Sequence, residues 1–127
     1  MVTDHYTTEK EYKKFTEYVF KWAAKLVPGY EVRLSFTTED EDARADVEID
    51  ELAKTVYVGF GRKWSNKPTN AELERTAFHE ICHILLAELV TFTNKFYNEE
   101  FTDAIEHRII ITLETLTFGQ NKRINNT

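Results

Sequence analysis

Two histidines and a glutamate lie within one short stretch of this sequence, His79-Glu80-Ile81-Cys82-His83. Residues four apart on an α-helix lie one turn above each other on nearly the same face, so two imidazoles at this spacing can bind one cation together. Glu80 stands about 60° around the helix from His83, where its carboxylate can flank a metal without being a ligand. That is where a general base for activating water should stand. The pattern therefore predicts a hydrolytic metal site.

The residues around this motif are apolar on nearly every side of the predicted helix. They are Phe78, Ile81, Cys82, Ile84, Leu85, Leu86 and Leu89. Such a helix is typically buried, and burying imidazoles and a carboxylate is costly unless they are paired or bound to a metal. A second interpretation is purely structural, with His79 and His83 as core residues that hydrogen-bond to Glu80 and to the backbone.

A third ligand is needed, because catalytic zinc usually has three protein ligands and one open position. No histidine follows shortly after His83 in the compact three-histidine arrangement, which leaves the last predicted helix as the source. The candidates there are Glu99, Glu100, Asp103, Glu106, His107 and Glu114. Glu106 is favoured, because it shares a helix face with Ile110 and Leu113 and should point toward the core.

The first half of the chain predicts a helix followed by a small sheet. Apolar residues recur at three- and four-residue spacing over residues 8–26, which indicates an amphipathic N-terminal helix. Alternating patterns predict three strands, over residues 30–37, 45–49 and 55–61. The last two are close enough for a hairpin. The strand over residues 55–61 is also a candidate edge strand, to which an extended peptide could add.

The second half predicts the motif helix and a C-terminal helix. The motif helix should run to about residue 90 from a cap at Thr69 or Asn70, and the last helix from about residue 99 to residue 117. Residues 118–127 are expected to be a frayed tail. With 127 residues, the chain suits a single α+β domain made of an N-terminal helix, a three-stranded sheet, a buried active-site helix and a C-terminal helix.

Composition argues against several kinds of partner and location. The net charge of −6 disfavours binding to phosphate backbones, so no nucleic-acid partner is expected. No stretch approaches the roughly 20 apolar residues of a membrane span, and no membrane role is expected. The lone Cys82 and an N-terminus without a signal-peptide pattern indicate a cytoplasmic location.

The stretch over residues 76–87, with Glu106-His107 and Leu113-Glu114 farther along, resembles the small phage- and prophage-type metallopeptidase domains of the gluzincin class. The likeness covers about residues 44–114. It implies a zincin-like fold in which His79, His83 and Glu106 bind zinc and Glu80 polarises the attacking water.

The chain departs from this family at Ile110, where larger gluzincins often carry an acid four residues after the third ligand. The group that orients an imidazole is therefore open between Asp103 and a backbone carbonyl. Tyr97 and His107 are candidates by position for stabilising the oxyanion.

The predicted function is that of a cytoplasmic zinc metalloendopeptidase, of a bacterium or a phage-infected cell, acting on a peptide or protein substrate. A chain this short has little room for a second domain to wall the cleft, so a protein partner is a candidate for completing it. The alternative is a non-catalytic zinc-binding regulatory or adaptor protein, whose four-ligand site would be closed.

Metal content gives the first test. Protein purified without added metal or a metal-affinity step should contain about one zinc ion per chain by elemental analysis, because the predicted site holds a single ion. A folded chain with almost no zinc, and none taken up on titration, would make His79, Glu80 and His83 core residues instead.

Overall fold

The structure, a computed structural model, describes residues 4–119. In chain order the elements are β1 (His5–Tyr6), α1 (Glu9–Leu26), β2 (Glu31–Ser35), β3 (Ala45–Asp50), β4 (Thr55–Phe60), β5 (Lys63–Trp64), α2 (Asn70–Leu85), α3 (Ala87–Thr93) and α4 (Glu99–Phe118). The predicted α+β class is thereby confirmed. Among the helices described, none is both long enough and apolar enough to cross a membrane.

The two helices that carry the core, α1 and α2, begin in the same way. Thr8 caps α1 and Thr69 caps α2, and each hydroxyl accepts a hydrogen bond from the backbone N–H three residues later. The glutamates at those positions, Glu11 and Glu72, return a hydrogen bond to the cap residue's own N–H. These reciprocal bonds satisfy donors that the first turn leaves unpaired, and they fix where each helix starts.

The main sheet has the strand order β2-β4-β3. Strand β4 pairs parallel with β2 and antiparallel with β3, with Val58 opposite both Leu34 and Val47. The hairpin between β3 and β4 was predicted correctly. The expectation that residues 55–61 form an edge strand was wrong, because β4 lies in the centre of the sheet and both of its sides are already paired. Strands β2 and β3 form the edges.

One face of this sheet packs against α1 and α2 and forms the main core. Phe60, at the end of β4, is fully buried. Its ring centroid lies 4.7 Å from that of Phe15 on α1, 5.7 Å from that of Trp64 and 5.8 Å from that of Phe36. Gly61 follows at a point where an added Cβ would collide with the carbonyl oxygens of the 43–44 segment. The core thus anchors α2, and with it the motif, to the sheet.

The motif helix is shorter than predicted. It ends at Leu85, and α3 begins at Ala87 after Leu86 adopts φ −94° and ψ 0°. This break places Leu86 against a second, smaller core cluster around Phe78 and Cys82. A tertiary contact therefore ends the helix at a position where the local apolar pattern continues.

The C-terminal helix α4 matches its predicted bounds to within one residue. Its last residue, Phe118, lies with its ring centroid 5.1 Å from that of Phe78 and 5.8 Å from that of Trp22. Residue 118 therefore belongs to the packed structure, while residues 120–127 of the predicted frayed tail lie outside the described part of the chain.

Phe60→Ala should lower the free energy of unfolding by about 3–5 kcal/mol, because it removes a fully buried ring and leaves a cavity. Urea denaturation followed by circular dichroism measures this. Tyr57→Ala is the matched control on the same strand, since Tyr57 is exposed on the other face. Equal losses in the two variants would contradict the assigned core face.

Candidate metal centre

Three histidines from two helices form a cluster on the side of α2 that faces α4. His79 and His83 lie one turn apart on α2 with ring centroids separated by 5.0 Å. His107 of α4 lies 5.0 Å from His83 and 5.9 Å from His79, centroid to centroid. One ligand atom from each histidine lies within 4.8 Å of the others. Two nitrogens bound to one tetrahedral zinc ion lie about 3.4 Å apart, so the three ligand atoms would have to move closer together to bind one ion.

Carboxylates of α4 accept hydrogen bonds from the two motif histidines. Nδ1 of His79 lies 2.6 Å from Oε1 of Glu114, and Nδ1 of His83 lies 2.7 Å from Oε2 of Glu106. Both glutamates are buried. The structural interpretation, in which the imidazoles would bond to Glu80, differs from this arrangement, because the partners of both rings come from α4.

His107 is held by its own helix, with Nδ1 2.9 Å from the backbone carbonyl oxygen of Asp103. In all three histidines the partner of Nδ1 is a carboxylate or carbonyl oxygen. An ionised carboxylate and a carbonyl can only accept a hydrogen bond, so Nδ1 must carry the proton and Nε2 of the neutral ring keeps its lone pair. This is the tautomer in which Nε2 serves as a metal ligand and the other ring nitrogen is hydrogen-bonded.

Arg75 extends the hydrogen bonds around His79. Its Nε donates to Oε2 of Glu114 at 3.1 Å, and its Nη1 donates to the carbonyl oxygen of Gly119 at 3.2 Å. Burial alone would raise the pKa of Glu114, but the hydrogen bonds from His79 and Arg75 hold that pKa below its ordinary value. Glu114 therefore stays ionised and joins α2 to the C-terminal half of α4.

The two motif histidines differ in their electrostatics. For His79 burial acts to lower the pKa, but Glu114 and the nearby Glu80 outweigh it and the pKa is raised. For His83 burial prevails over the hydrogen bond to Glu106, and the pKa is lowered. His83 is thus held in the neutral form that binds metals, whereas at His79 a metal must compete with a proton.

Glu80 is buried on α2, with 7% of its surface exposed. Burial raises its pKa to about 7, since the charged form loses its hydration; among its neighbours, His79 opposes this shift and Asp46 of β3 adds to it. A carboxyl group with a pKa near neutrality can both take up and release a proton under physiological conditions. This pKa suits the general-base role predicted for Glu80 from the sequence.

The choice of Glu106 as the third ligand stays a prediction. In the structure its carboxylate accepts a hydrogen bond from His83, and the third member of the histidine cluster is His107. Neighbouring residues on a helix point about 100° apart. Glu106 faces inward as predicted, and this direction places its carboxylate against Nδ1 of His83. The exposed His107 lies beside the rings of His79 and His83.

Of the other candidates, Asp103 contributes its backbone carbonyl, one of the two options left open for orienting an imidazole. Glu99 and Glu100 lie exposed in the first turn of α4, and Tyr97 packs with its ring centroid 5.7 Å from that of Phe101. Sequence reasoning did not identify Arg75 as part of the site. It also did not predict that Glu106 and Glu114, on one face of α4, accept hydrogen bonds from the two motif histidines. Their spacing of just over two turns was the available signal.

Cys82 lies within the motif but outside the cluster. Its side chain is fully buried, and burial raises the pKa of the thiol to about 12. The thiolate, which is the form that binds metals and attacks electrophiles, is therefore scarce. This agrees with the role of a small core residue.

Comparisons of this chain with protein-family models, with curated proteins and with solved structures found no significant match. The resemblance to gluzincins therefore remains a prediction from the motif residues.

His107→Ala should weaken zinc binding more than Glu106→Gln does. The first substitution removes a ligand, whereas the second weakens a hydrogen bond behind a ligand, which typically reduces metal affinity about 10–100-fold. Competition with a chromophoric chelator measures both. Glu100→Gln, on an exposed turn of the same helix, is the control. If Glu106→Gln proves the more damaging, Glu106 rather than His107 is the third ligand.

Proposed function

We propose that this protein is a zinc-dependent hydrolase of peptide bonds, with His79, His83 and His107 as the metal ligands and Glu80 as the general base. One observation carries the proposal: three clustered imidazoles each have Nδ1 bonded to an acceptor, which leaves three Nε2 atoms for one ion. Core histidines that served packing alone would have no need of this shared tautomer.

The donor set fits zinc. Neutral imidazole nitrogens are among the usual ligands of this ion, and metal-bound histidines almost always donate their other N–H to a carboxylate or a carbonyl. Glu114, Glu106 and the Asp103 carbonyl supply those acceptors. Bound in this site, zinc supplies Lewis-acid chemistry, since it lowers the pKa of a coordinated water toward neutrality and polarises a substrate carbonyl.

The chain's own residues account for the proton transfers. The carboxylate of Glu80 accepts the proton of the attacking water, and the resulting carboxylic acid returns it to the nitrogen of the leaving amine. A pKa of about 7 suits both halves of this cycle. The three hydrogen bonds that the Nδ1–H groups donate keep the imidazoles oriented, so little reorganisation is needed during the reaction.

Two further features support a peptide as the substrate. Strand β3 is an edge of the sheet and packs against α2, so a peptide that adds to this edge would run alongside the motif helix. His107 is exposed, and the site is therefore accessible from solvent on its α4 side.

The competing hypothesis, a non-catalytic zinc-binding regulatory or adaptor protein, calls for a closed site with four protein ligands. Within residues 4–119 the cluster consists of three histidines. Three ligands leave a coordination position for water or substrate, which favours the catalytic hypothesis over the non-catalytic one.

Glu80→Gln should keep its zinc and lose about 10²–10⁴-fold in the rate of peptide cleavage, because the amide cannot accept the proton. The assay uses zinc-loaded protein, quenched fluorescent peptides of mixed sequence and elemental analysis of each variant. Glu100→Gln, exposed and distant from the motif in the chain, is the matched control.

An undiminished rate in zinc-loaded Glu80→Gln would eliminate the general-base role. If the parent protein binds about one zinc ion per chain yet cleaves none of the peptides, the non-catalytic hypothesis is favoured.

A further inference from the structure

A basic groove lies between the start of α1 and the segment that leads into α2, and none of the three clustered histidines lines it. It encloses about 760 Å³, a volume within the range of small-molecule sites in proteins. Four lysines line this lysine groove, namely Lys10, Lys13, Lys14 and Lys67. Since the whole chain carries a net charge of −6, the groove concentrates positive charge on an otherwise acidic protein.

The lysines of α1 stand where a helix does not favour them. Lys10 is three residues from Lys13 and four from Lys14, so the three side chains are neighbours on one helix face. Like charges at this spacing repel each other and destabilise the helix. The first turns of a helix also favour acidic side chains over basic ones, because the helix dipole is positive there. A bound anion would relieve both effects.

Both acids that line the groove already have partners. Glu11 accepts a hydrogen bond from the backbone N–H of Thr8 at 2.9 Å and lies 2.9 Å from Nε2 of His5. Glu17 lies 3.6 Å from Nζ of Lys14. The other three lysines of the groove form no ion pair with an acid among residues 4–119. Their three ammonium groups can therefore bind an anionic ligand.

The arrangement suits linked phosphate groups better than a single carboxylate. Each phosphate offers several acceptor oxygens and more negative charge than a carboxylate does, so a phosphate chain can engage several ammonium groups at once. Lysine is a common phosphate-binding residue. Two buried apolar residues, Pro68 and Leu73, also line the groove and provide contact area for the body of a ligand.

We propose that the lysine groove binds a small molecule that carries two or more linked phosphate groups. A nucleotide and an inorganic polyphosphate share this chemistry. Recognition rests on the lysine side chains, because Thr8 and Thr69 cap the two helices that begin here. The proposal is independent of the hydrolase function, since neither Glu80 nor any of the clustered histidines lines the groove.

The experiment is a calorimetric titration of the zinc-loaded protein at physiological ionic strength, because weak surface attraction is screened there. The probes are sodium triphosphate, ATP and adenosine. Triphosphate and ATP should bind at a single site, and adenosine alone should not. Equal affinity for the first two identifies the inorganic chain as the ligand, whereas tighter binding of ATP identifies a nucleotide. The zinc content is measured after each titration, since triphosphates chelate metal ions.

Variants then locate the site. Lys10→Gln/Lys13→Gln should weaken triphosphate binding at least about tenfold, because two charge-assisted contacts are lost. Lys25→Gln/Lys95→Gln is the matched control, since it removes the same charge from exposed positions outside the groove, and it should change the affinity little. Circular dichroism checks that each variant folds. Should the first variant not fold, Lys67→Gln in the loop before α2 should weaken binding several-fold.

Three results would overturn the proposal. The first is the absence of binding for both triphosphate and ATP. The second is an equal loss of affinity in the two double variants, which would show that net charge rather than the groove attracts the ligand. The third is tighter binding of duplex DNA than of triphosphate, weakened by Lys10→Gln/Lys13→Gln, which would assign the groove to a nucleic acid instead of a small molecule.

Discussion

The hydrogen bonds between the motif histidines of α2 and the glutamates of α4 are the contacts on which the rest of the site depends. Helix α2 is anchored to the sheet and to α1 through the main core. Helix α4 meets α2 through a much smaller cluster, whose buried members are Phe78, Cys82 and Ile110. Apolar packing of this extent leaves freedom in how α4 is rotated. The bonds from His79 to Glu114 and from His83 to Glu106 restrict that rotation.

The same contacts carry an energetic cost. Glu106 and Glu114 are buried, and a buried carboxylate is destabilising unless it is fully partnered. Arg75 relieves part of this cost at Glu114 through a hydrogen bond to the second oxygen. Glu80 is also buried, and the loss of hydration raises its pKa. A fold selected for stability alone would be better served by apolar residues at these positions, so their presence accords with a functional site.

Local patterns in the sequence predicted the elements and the motif. The features that the sequence did not predict depend on contacts between elements. The three- and four-residue spacing located α1, and the cap at Thr69 or Asn70 located the start of α2. The spacing of His79 and His83 fixes their common face in any helix. Which of Glu106 and His107 lies beside His79 and His83 depends on the rotation of α4, where a step of one residue exchanges the two. The centre of the sheet was misassigned for the same reason, since β4 pairs in parallel with β2, a strand far from it in the chain. The short pair of β1 and β5 has too few residues to produce a pattern.

The position of His83 and His107 on either side of α3 has a consequence for the order of the chain. An ion bound to both closes a loop that contains α3, the connection to α4 and the first turns of α4, as a covalent crosslink between these residues would. Closing a loop removes conformational entropy from the segment within it. Zinc would therefore lower the conformational entropy of α3 and of its connection to α4, and this segment would be better ordered in the metal-bound protein than in the metal-free one.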